Sequence, residues 1–341
     1  MRRVNGEMGN GKFEGLLHLS DFKGGFKMIA TDQRGSLKRM MRPSDPGSVT
    51  PEELREVKRK LIKCLVGVGS GSRATGVLVD PEYSYEREFL DSCEIRGDVG
   101  MLMGIEASGY GEGGEFEPRV GLFWGLGPEE AVLKVKRRGA SAVKMLIYYR
   151  PDSPTKRHQL EMVKAVGRAC MKYDIAFVLE TVTHSLRSGP KKGSREFAEL
   201  LPELVIGSVK ELSKPEYCVD VMKVEFPADL RYSDELGQSP LELGRELDEV
   251  CEVPWVVLSA GMDYDRFREV VDFACRAGAS GFLAGRAIWK DSIGKSDMEG
   301  HLRKVGVRRV NELSEIVEER SRPWFKKFAS DIGEVRVVRG E

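Results

Sequence analysis

Eight short apolar runs recur along this chain, each followed by polar residues and then by a segment of helical periodicity, and this alternation restricts the fold more than any other feature. The runs are Lys27 to Asp32, Gly76 to Asp80, Val99 to Glu106, Ala142 to Tyr149, Ile175 to Glu180, Val219 to Glu225, Pro254 to Ser259 and Ala279 to Ala284. A strand that is apolar throughout, rather than at every second residue, is buried on both faces, as in a parallel sheet covered by helices. The intervening segments carry ordinary helix-end signals. Thr50-Pro51-Glu52-Glu53 offers a cap, a proline at the first position and early acids, and the segment opened by Gly127-Pro128-Glu129 closes on Arg137-Arg138-Gly139. Eight such units predict a single α/β domain, a closed (β/α)8 TIM barrel, and 341 residues suits one with additions. The expected limits are an N-terminal extension over 1–25, the barrel over 26–329 and a C-terminal tail over 330–341. Both ends read as loosely held arms or as capping segments. An open doubly wound sheet is the competing arrangement, but no G-x-G-x-x-G follows the first run.

Charge and cysteine usage narrow the function classes. Lysine plus arginine number 54 and aspartate plus glutamate 54, so the overall balance points to neither nucleic acid nor an anionic membrane as the main partner, and any anion site has to be local. The six cysteines are scattered, with no C-x-x-C pair, and read as reduced core thiols. No apolar run approaches the length of a membrane span and the first residues lack a leader pattern, so the expected location is cytoplasmic. Barrels commonly associate through outer helices, which leaves a homo-oligomer open, although no patch in the sequence singles out such a surface.

In a barrel of this type the residues at the C-terminal ends of the strands share one mouth, so chemistry is sought there. The run VDVMKVEFP from Val219 carries Lys223 in its middle, and a lysine held among apolar neighbours can present a neutral amine to a carbonyl. The alternative is a lysine that snorkels from an edge strand or pairs with a carboxylate such as Glu225. Lys144 is embedded in the fourth run in the same way. Two ammonium groups at short range cannot both stay charged cheaply, so one is expected to be driven neutral. Side-chain alternation lets Asp32, Lys144, Glu180 and Lys223 all point inward, with Glu180 between the lysines and able to move protons as a general acid and base. Asp80 and Glu106 occupy equivalent places but could equally cap the loops that follow them. After the last two runs, Ser259-Ala260-Gly261 and Gly285-Arg286 expose backbone N–H groups and a guanidinium, a pairing suited to phosphate at the end of a barrel where phosphate is often held.

Together these stretches resemble the class I tagatose 1,6-bisphosphate aldolase family, including the related sulfofructose-phosphate aldolases. The resemblance rests on ATDQRGSLKRMM from Ala30, LVDPEYS from Leu78, AVKMLIYY from Ala142, FVLE from Phe177, DVMKVEFP from Asp220, LSAG from Leu258 and GRAIW from Gly285, in order across most of the chain. It implies a barrel aldolase that works through a covalent lysine Schiff base and needs no metal. Lys223 would be the nucleophile and Glu180 the acid and base, while Asp32, Gln33 and Lys144 would line the hydroxyl side of a sugar phosphate. Ser259, Gly261, Gly285 and Arg286 would grip the phosphate of the dihydroxyacetone phosphate half. The implied reaction is reversible cleavage of a ketose bisphosphate such as tagatose 1,6-bisphosphate to dihydroxyacetone phosphate and glyceraldehyde 3-phosphate. The alternatives are a related substrate such as sulfofructose 1-phosphate, or a sugar-phosphate-binding regulator without catalysis. The sequence departs from the family pattern over Thr181 to Ser194: His184 stands where tyrosine is expected, and the basic SLRSGPKKGS replaces a more acidic stretch. That leaves the aldehyde half of the substrate open.

Overall fold

The structure, a computed structural model, describes residues 7–108 and 118–338. Most of the glycine-rich stretch 107–121, expected as a rim loop, lies outside the described residues; where the chain leaves and returns, Ala107 N donates to Gly121 O at 2.8 Å. The eight runs form eight parallel strands: β1 (Phe26–Ala30), β2 (Gly76–Val79), β3 (Gly100–Gly104), β4 (Ala142–Tyr148), β5 (Ala176–Val182), β6 (Val221–Val224), β7 (Trp255–Val257) and β8 (Gly281–Ala284). Each strand pairs with the next and β1 also pairs with β8, which closes the barrel. Among the described residues no helix is long and apolar enough to cross a membrane.

Alternation along the strands makes two cores. Met28, Leu78, Leu102, Val178, Val256 and Leu283 point inward and fill the lower barrel. Val77, Met103, Phe177, Met222 and Phe282 point outward, against the helices. Helix-end chemistry holds that outer layer in register. In the helix Pro51–Val66, Glu53 N donates to Thr50 Oγ1 at 3.2 Å and Thr50 N to Glu53 Oε2 at 2.9 Å, the reciprocal cap anticipated from the sequence. All six cysteines are free. Five are buried, whereas Cys218 is partly exposed and sits in a left-handed turn, φ +54°, so it is not a core thiol.

Described segments near both ends pack on the barrel. A helix over Asn10–Leu19 crosses the N-terminal end of the barrel, and Leu16 and Leu19 are fully buried against the inner layer together with Trp324. Lys12 Nζ donates to Asp220 Oδ2 at 2.7 Å, and that oxygen also accepts from Phe177 N at 2.8 Å, so the helix is pinned to β5 and to the start of β6. The Asp174 carboxylate accepts from Gly11 N and Lys12 N at 2.7 and 3.2 Å. Segments near both ends then meet as a parallel pair, Glu7–Gly9 with Arg336–Val338. The helix has a sequence signal, Phe13, Leu16 and Leu19 at intervals of three, but the flanking glycines obscure it.

Leu16→Ala is expected to lower stability by about 2–5 kcal/mol, because the barrel floor cannot collapse around the lost volume. Urea unfolding measures this; a change under about 0.5 kcal/mol, the range of exposed sites, would show that the helix contributes little to the core.

Candidate active site

Above the apolar layer the inward-facing positions become ionic. Cα register aligns Leu146 of β4 with Glu180 of β5, and Glu180 with Lys223 of β6, so the acid and the lysine stand side by side. Lys223 is buried and its Nζ lies 2.9 Å from Glu180 Oε2. Lys144, entered one inward position lower on β4, has no exposed surface, and its Nζ lies 2.8 Å from the same Glu180 oxygen. It donates to Asp32 Oδ2 at 2.9 Å and to Glu106 Oε1 at 2.7 Å. The four residues read from the sequence as catalytic therefore meet at one point, joined by Glu106.

The charges are arranged differently from the simple competition of two lysines. Burial disfavours the Lys144 ammonium, but Asp32, Glu106 and Glu180 outweigh it and hold its pKa well above the usual lysine value. Lys144 is thus the permanently charged member, and the expectation of repulsion between two bare ammonium groups gives way to a carboxylate interposed between them. Burial pushes the Asp32 carboxyl up, yet Lys144 and Lys223 pull it further down, and the net position is well below the usual carboxylate range. Glu180 is lowered in the same sense: burial and Asp32 raise it, and the two lysines more than compensate. Glu180 is therefore a carboxylate touching Lys223, placed to take a proton from it.

Glu225 is not the partner of Lys223. It accepts from Thr183 N at 2.7 Å, from Thr183 Oγ1 at 2.6 Å and from Lys192 Nζ at 2.5 Å, which straps the basic loop after β5 to the end of β6. The two acids left open by the sequence separate. Asp80 serves structure: it accepts from Glu82 N, Tyr83 N and Ser84 Oγ at 3.0, 2.8 and 2.9 Å and pairs with Lys58 at 2.8 Å. Glu106 belongs to the ionic site through Lys144. Two basic residues that the sequence reading passed over support the acids. Lys58, fully buried, donates to Thr31 O at 2.5 Å, directly before Asp32, and Arg34 donates to Glu106 O at 2.8 Å. Lys58 had a signal, since it falls on the apolar stripe of its helix with Leu54, Leu61 and Leu65. Tyr148 was also missed. It lies four residues beyond Lys144 on the same face of β4, and burial together with Glu180 raises its phenol pKa.

The suggested phosphate residues cluster at the ends of β7 and β8. Gly261 has φ +80°, and a Cβ there would stand 3.2 Å from the Arg286 guanidinium carbon, so glycine is required both for the turn and for the arginine lying over it. A Cβ on Gly285 would fall 2.4 Å from Ala30 O and 3.0 Å from Gln33 Nε2, which brings Gln33 against the β8 turn and gives this glycine a steric reason of its own. Gln33 Oε1 is buried and, among the described residues, has no hydrogen-bond partner, and Ser259 is buried at the start of the turn. Among the described residues Arg286 has no carboxylate within ion-pairing distance, so its charge is available to an anion. A cavity of about 310 Å³ borders this side, with Lys192, Glu225, Leu258 and Gly261 in its lining.

A closed parallel barrel with a buried lysine against a carboxylate at its mouth defines a class, the lysine-bearing barrel enzymes. A family model described as DeoC/LacD family aldolase matches residues 26–291. A tagatose 1,6-diphosphate aldolase of Listeria monocytogenes serotype 4a (strain HCC23) is 32% identical over 339 residues, covering 94% of this chain and 95% of the relative. Among solved structures, a Schiff base-forming fructose-1,6-bisphosphate aldolase superposes with a TM-score of 0.58 at 20% identity over 90% of this chain and 99% of its own. The fructose-bisphosphate aldolase of Plasmodium falciparum gives 0.67 at 13% identity, over 94% and 99%. The chain belongs to the DeoC/LacD family of aldolases. It is accordingly an enzyme, an aldehyde-lyase.

Lys144→Met leaves Asp32, Glu106 and Glu180 facing one another with Lys223 as the remaining counter-charge, and is expected to cost about 3–5 kcal/mol at neutral pH. In the wild type the depressed carboxyls of Asp32 and Glu180 contribute stability above the usual carboxylate range, and this is lost as pH falls through their folded values. In the variant, repulsion raises the carboxyl pKa values instead, so its melting temperature should rise as pH drops from about 8 to about 5. Melting curves of both proteins across that range test this; parallel profiles would refute the assigned role of Lys144.

Proposed function

We propose that this protein is a class I aldolase that cleaves a ketose bisphosphate such as tagatose 1,6-bisphosphate, reversibly, to dihydroxyacetone phosphate and glyceraldehyde 3-phosphate through a Schiff base on Lys223. The observation that carries this reading is the contact between buried Lys223 and Glu180 at 2.9 Å, with Glu180 held from its other side by Lys144. The chemistry needs no metal, because the protonated imine is the electron sink. The similarity to the Listeria tagatose 1,6-diphosphate aldolase supports the choice of sugar.

In the proposed sequence, the Glu180 carboxylate takes a proton from Lys223 Nζ, and the amine adds to the C2 carbonyl of the open-chain ketose. Glu180 returns the proton to the carbinolamine hydroxyl, water leaves, and an iminium forms. Asp32 or Glu180 then takes the C4 hydroxyl proton. The C3–C4 bonding pair moves into the iminium, and the aldehyde departs from the resulting enamine. Protonation at C3 and hydrolysis release dihydroxyacetone phosphate and restore Lys223. Lys144 remains an ammonium throughout and fixes three carboxylates. Ser259, Gly261, Gly285 and Arg286 hold the C1 phosphate, and Gln33 presents an unpaired oxygen to the substrate's hydroxyl side. The reading takes a small sugar phosphate as partner, without nucleic acid or membrane. It takes the protein to be cytoplasmic, which the six free thiols support.

Borohydride reduction in the presence of dihydroxyacetone phosphate should leave a stable adduct on Lys223, detected by mass spectrometry of the peptide Val221 to Arg231. Lys223→Met should abolish both adduct and turnover while keeping the melting temperature near that of the wild type. No adduct, with sugar-phosphate binding still visible by calorimetry, would reject catalysis in favour of a sugar-phosphate binder.

A further inference from the structure

The loop after β5 holds a histidine whose hydrogen-bonding state the geometry fixes. His184 Nδ1 lies 3.1 Å from Ser185 O. A carbonyl can only accept, so the proton sits on Nδ1, and Nε2 is left as a bare acceptor. The residue is anchored on its other side as well, since Arg150 donates to His184 O at 2.8 Å. Burial, with Arg150 and Lys192 nearby, disfavours the imidazolium more than the Ser185 carbonyl and Asp152 favour it, so the ring is neutral. Nε2 is buried and, among the described residues, has no hydrogen-bond partner. A native protein seldom leaves such an acceptor unpaired without a use for it.

Its position relates it to the reaction. His184 stands two residues past the end of β5, in phase along the chain with Glu180 and Val182, and its ring contact places it above the acid. Its ring stands edge-on to Tyr148, 6.5 Å between centroids at 87°, and Tyr148 continues the inward face of β4 above Lys144. Lys223 on β6 divides the mouth. The residues suited to the C1 phosphate lie on β7 and β8, to one side of it. The remainder of a substrate whose C2 is bonded to Lys223 therefore extends to the other side, over β5 and β4, where Tyr148 and His184 form the wall.

We propose that His184 is a specificity-determining residue for the aldehyde half: its Nε2 accepts a hydrogen bond from the hydroxyl on the carbon next to the aldehyde carbonyl, which is C5 of the ketose. The ligand class it selects is a 2-hydroxyaldehyde bearing a terminal phosphate. The proposal rests on the aldolase reading above. It differs from a structural role because the effect depends on whether the aldehyde carries that hydroxyl.

The test compares condensation of dihydroxyacetone phosphate with glyceraldehyde 3-phosphate and with 3-phosphooxypropanal, the same three-carbon aldehyde phosphate without the C2 hydroxyl. The wild type should prefer the hydroxylated aldehyde in kcat/KM by on the order of tenfold or more. His184→Phe keeps a ring against Tyr148 but removes the acceptor. It should lose the preference through the glyceraldehyde 3-phosphate reaction alone, and His184→Asn, which restores an acceptor, should recover part of it. Borohydride trapping of dihydroxyacetone phosphate on Lys223 should be the same in all three proteins. Absence of trapping in the wild type would reject the aldolase reading itself. Intact trapping with no preference in the wild type, or with an equal loss for both aldehydes in the variants, would overturn the role of His184. Should His184→Phe fail to fold, the wild-type ratio and His184→Asn still decide.

Discussion

The ammonium of Lys144, enclosed by three carboxylates at the top of the inner barrel, is the interaction on which the site depends. Three acids brought together in a poorly hydrated mouth would repel one another and take up protons. This fully buried cation, with Lys223, keeps Asp32 and Glu180 ionised, and it fixes the position of Glu180 beside Lys223. Such a pairing is costly in desolvation and is weak evidence for stability as such. Its value lies in the division of labour it creates. Two lysines of the same chemical type, one inward position apart on the two strands that flank β5, acquire different tasks because one meets three acids and the other meets one.

The scaffold makes that division possible by separating a dry lower barrel from an ionic upper one. The inner apolar layer, closed beneath by Leu16, Leu19 and Trp324, keeps water from reaching the lysines from below. Supports behind the wall then set the acids. Lys58 holds the Thr31 carbonyl and Asp80, Trp289 Nε1 donates to Ala30 O at 3.0 Å, and Arg34 holds the Glu106 carbonyl. Each of these ties a backbone atom at or beside the end of β1 or β3, where a small shift would move a carboxylate away from Lys144.

The barrel was legible because continuous apolar strands and capped helices are local signals, repeated eight times. The convergence of Asp32, Lys144, Glu180 and Lys223 was legible because strand alternation is a rule that sequence obeys directly. What the sequence could not distinguish was the use of residues with the same local placement. Asp80 and Glu106 both follow strand ends in the same phase of alternation, yet one meets Lys58 from a helix and the other meets Lys144 from a strand, and only the tertiary fold decides which cation arrives. Lys58 and Tyr148 were visible as a lysine on an apolar helix stripe and as a tyrosine in phase with Lys144, but neither pattern is specific taken alone. The helix Asn10–Leu19 was hidden for a different reason: its apolar residues bury against parts of the chain far away in sequence, so its own composition understates its order.

The pairing of Glu7–Gly9 with Arg336–Val338, beneath a floor built from Leu16 and Trp324, brings together segments that almost the whole sequence separates. Closure entropy has to be met before those contacts reward it, so the floor is the most non-local part of the molecule. A chain that lacks either segment leaves the inner apolar layer without part of its cover. The floor thus acts as a latch on synthesis and folding: the strands can pair in order, each with its predecessor, but the barrel becomes watertight only when its two distant ends have met.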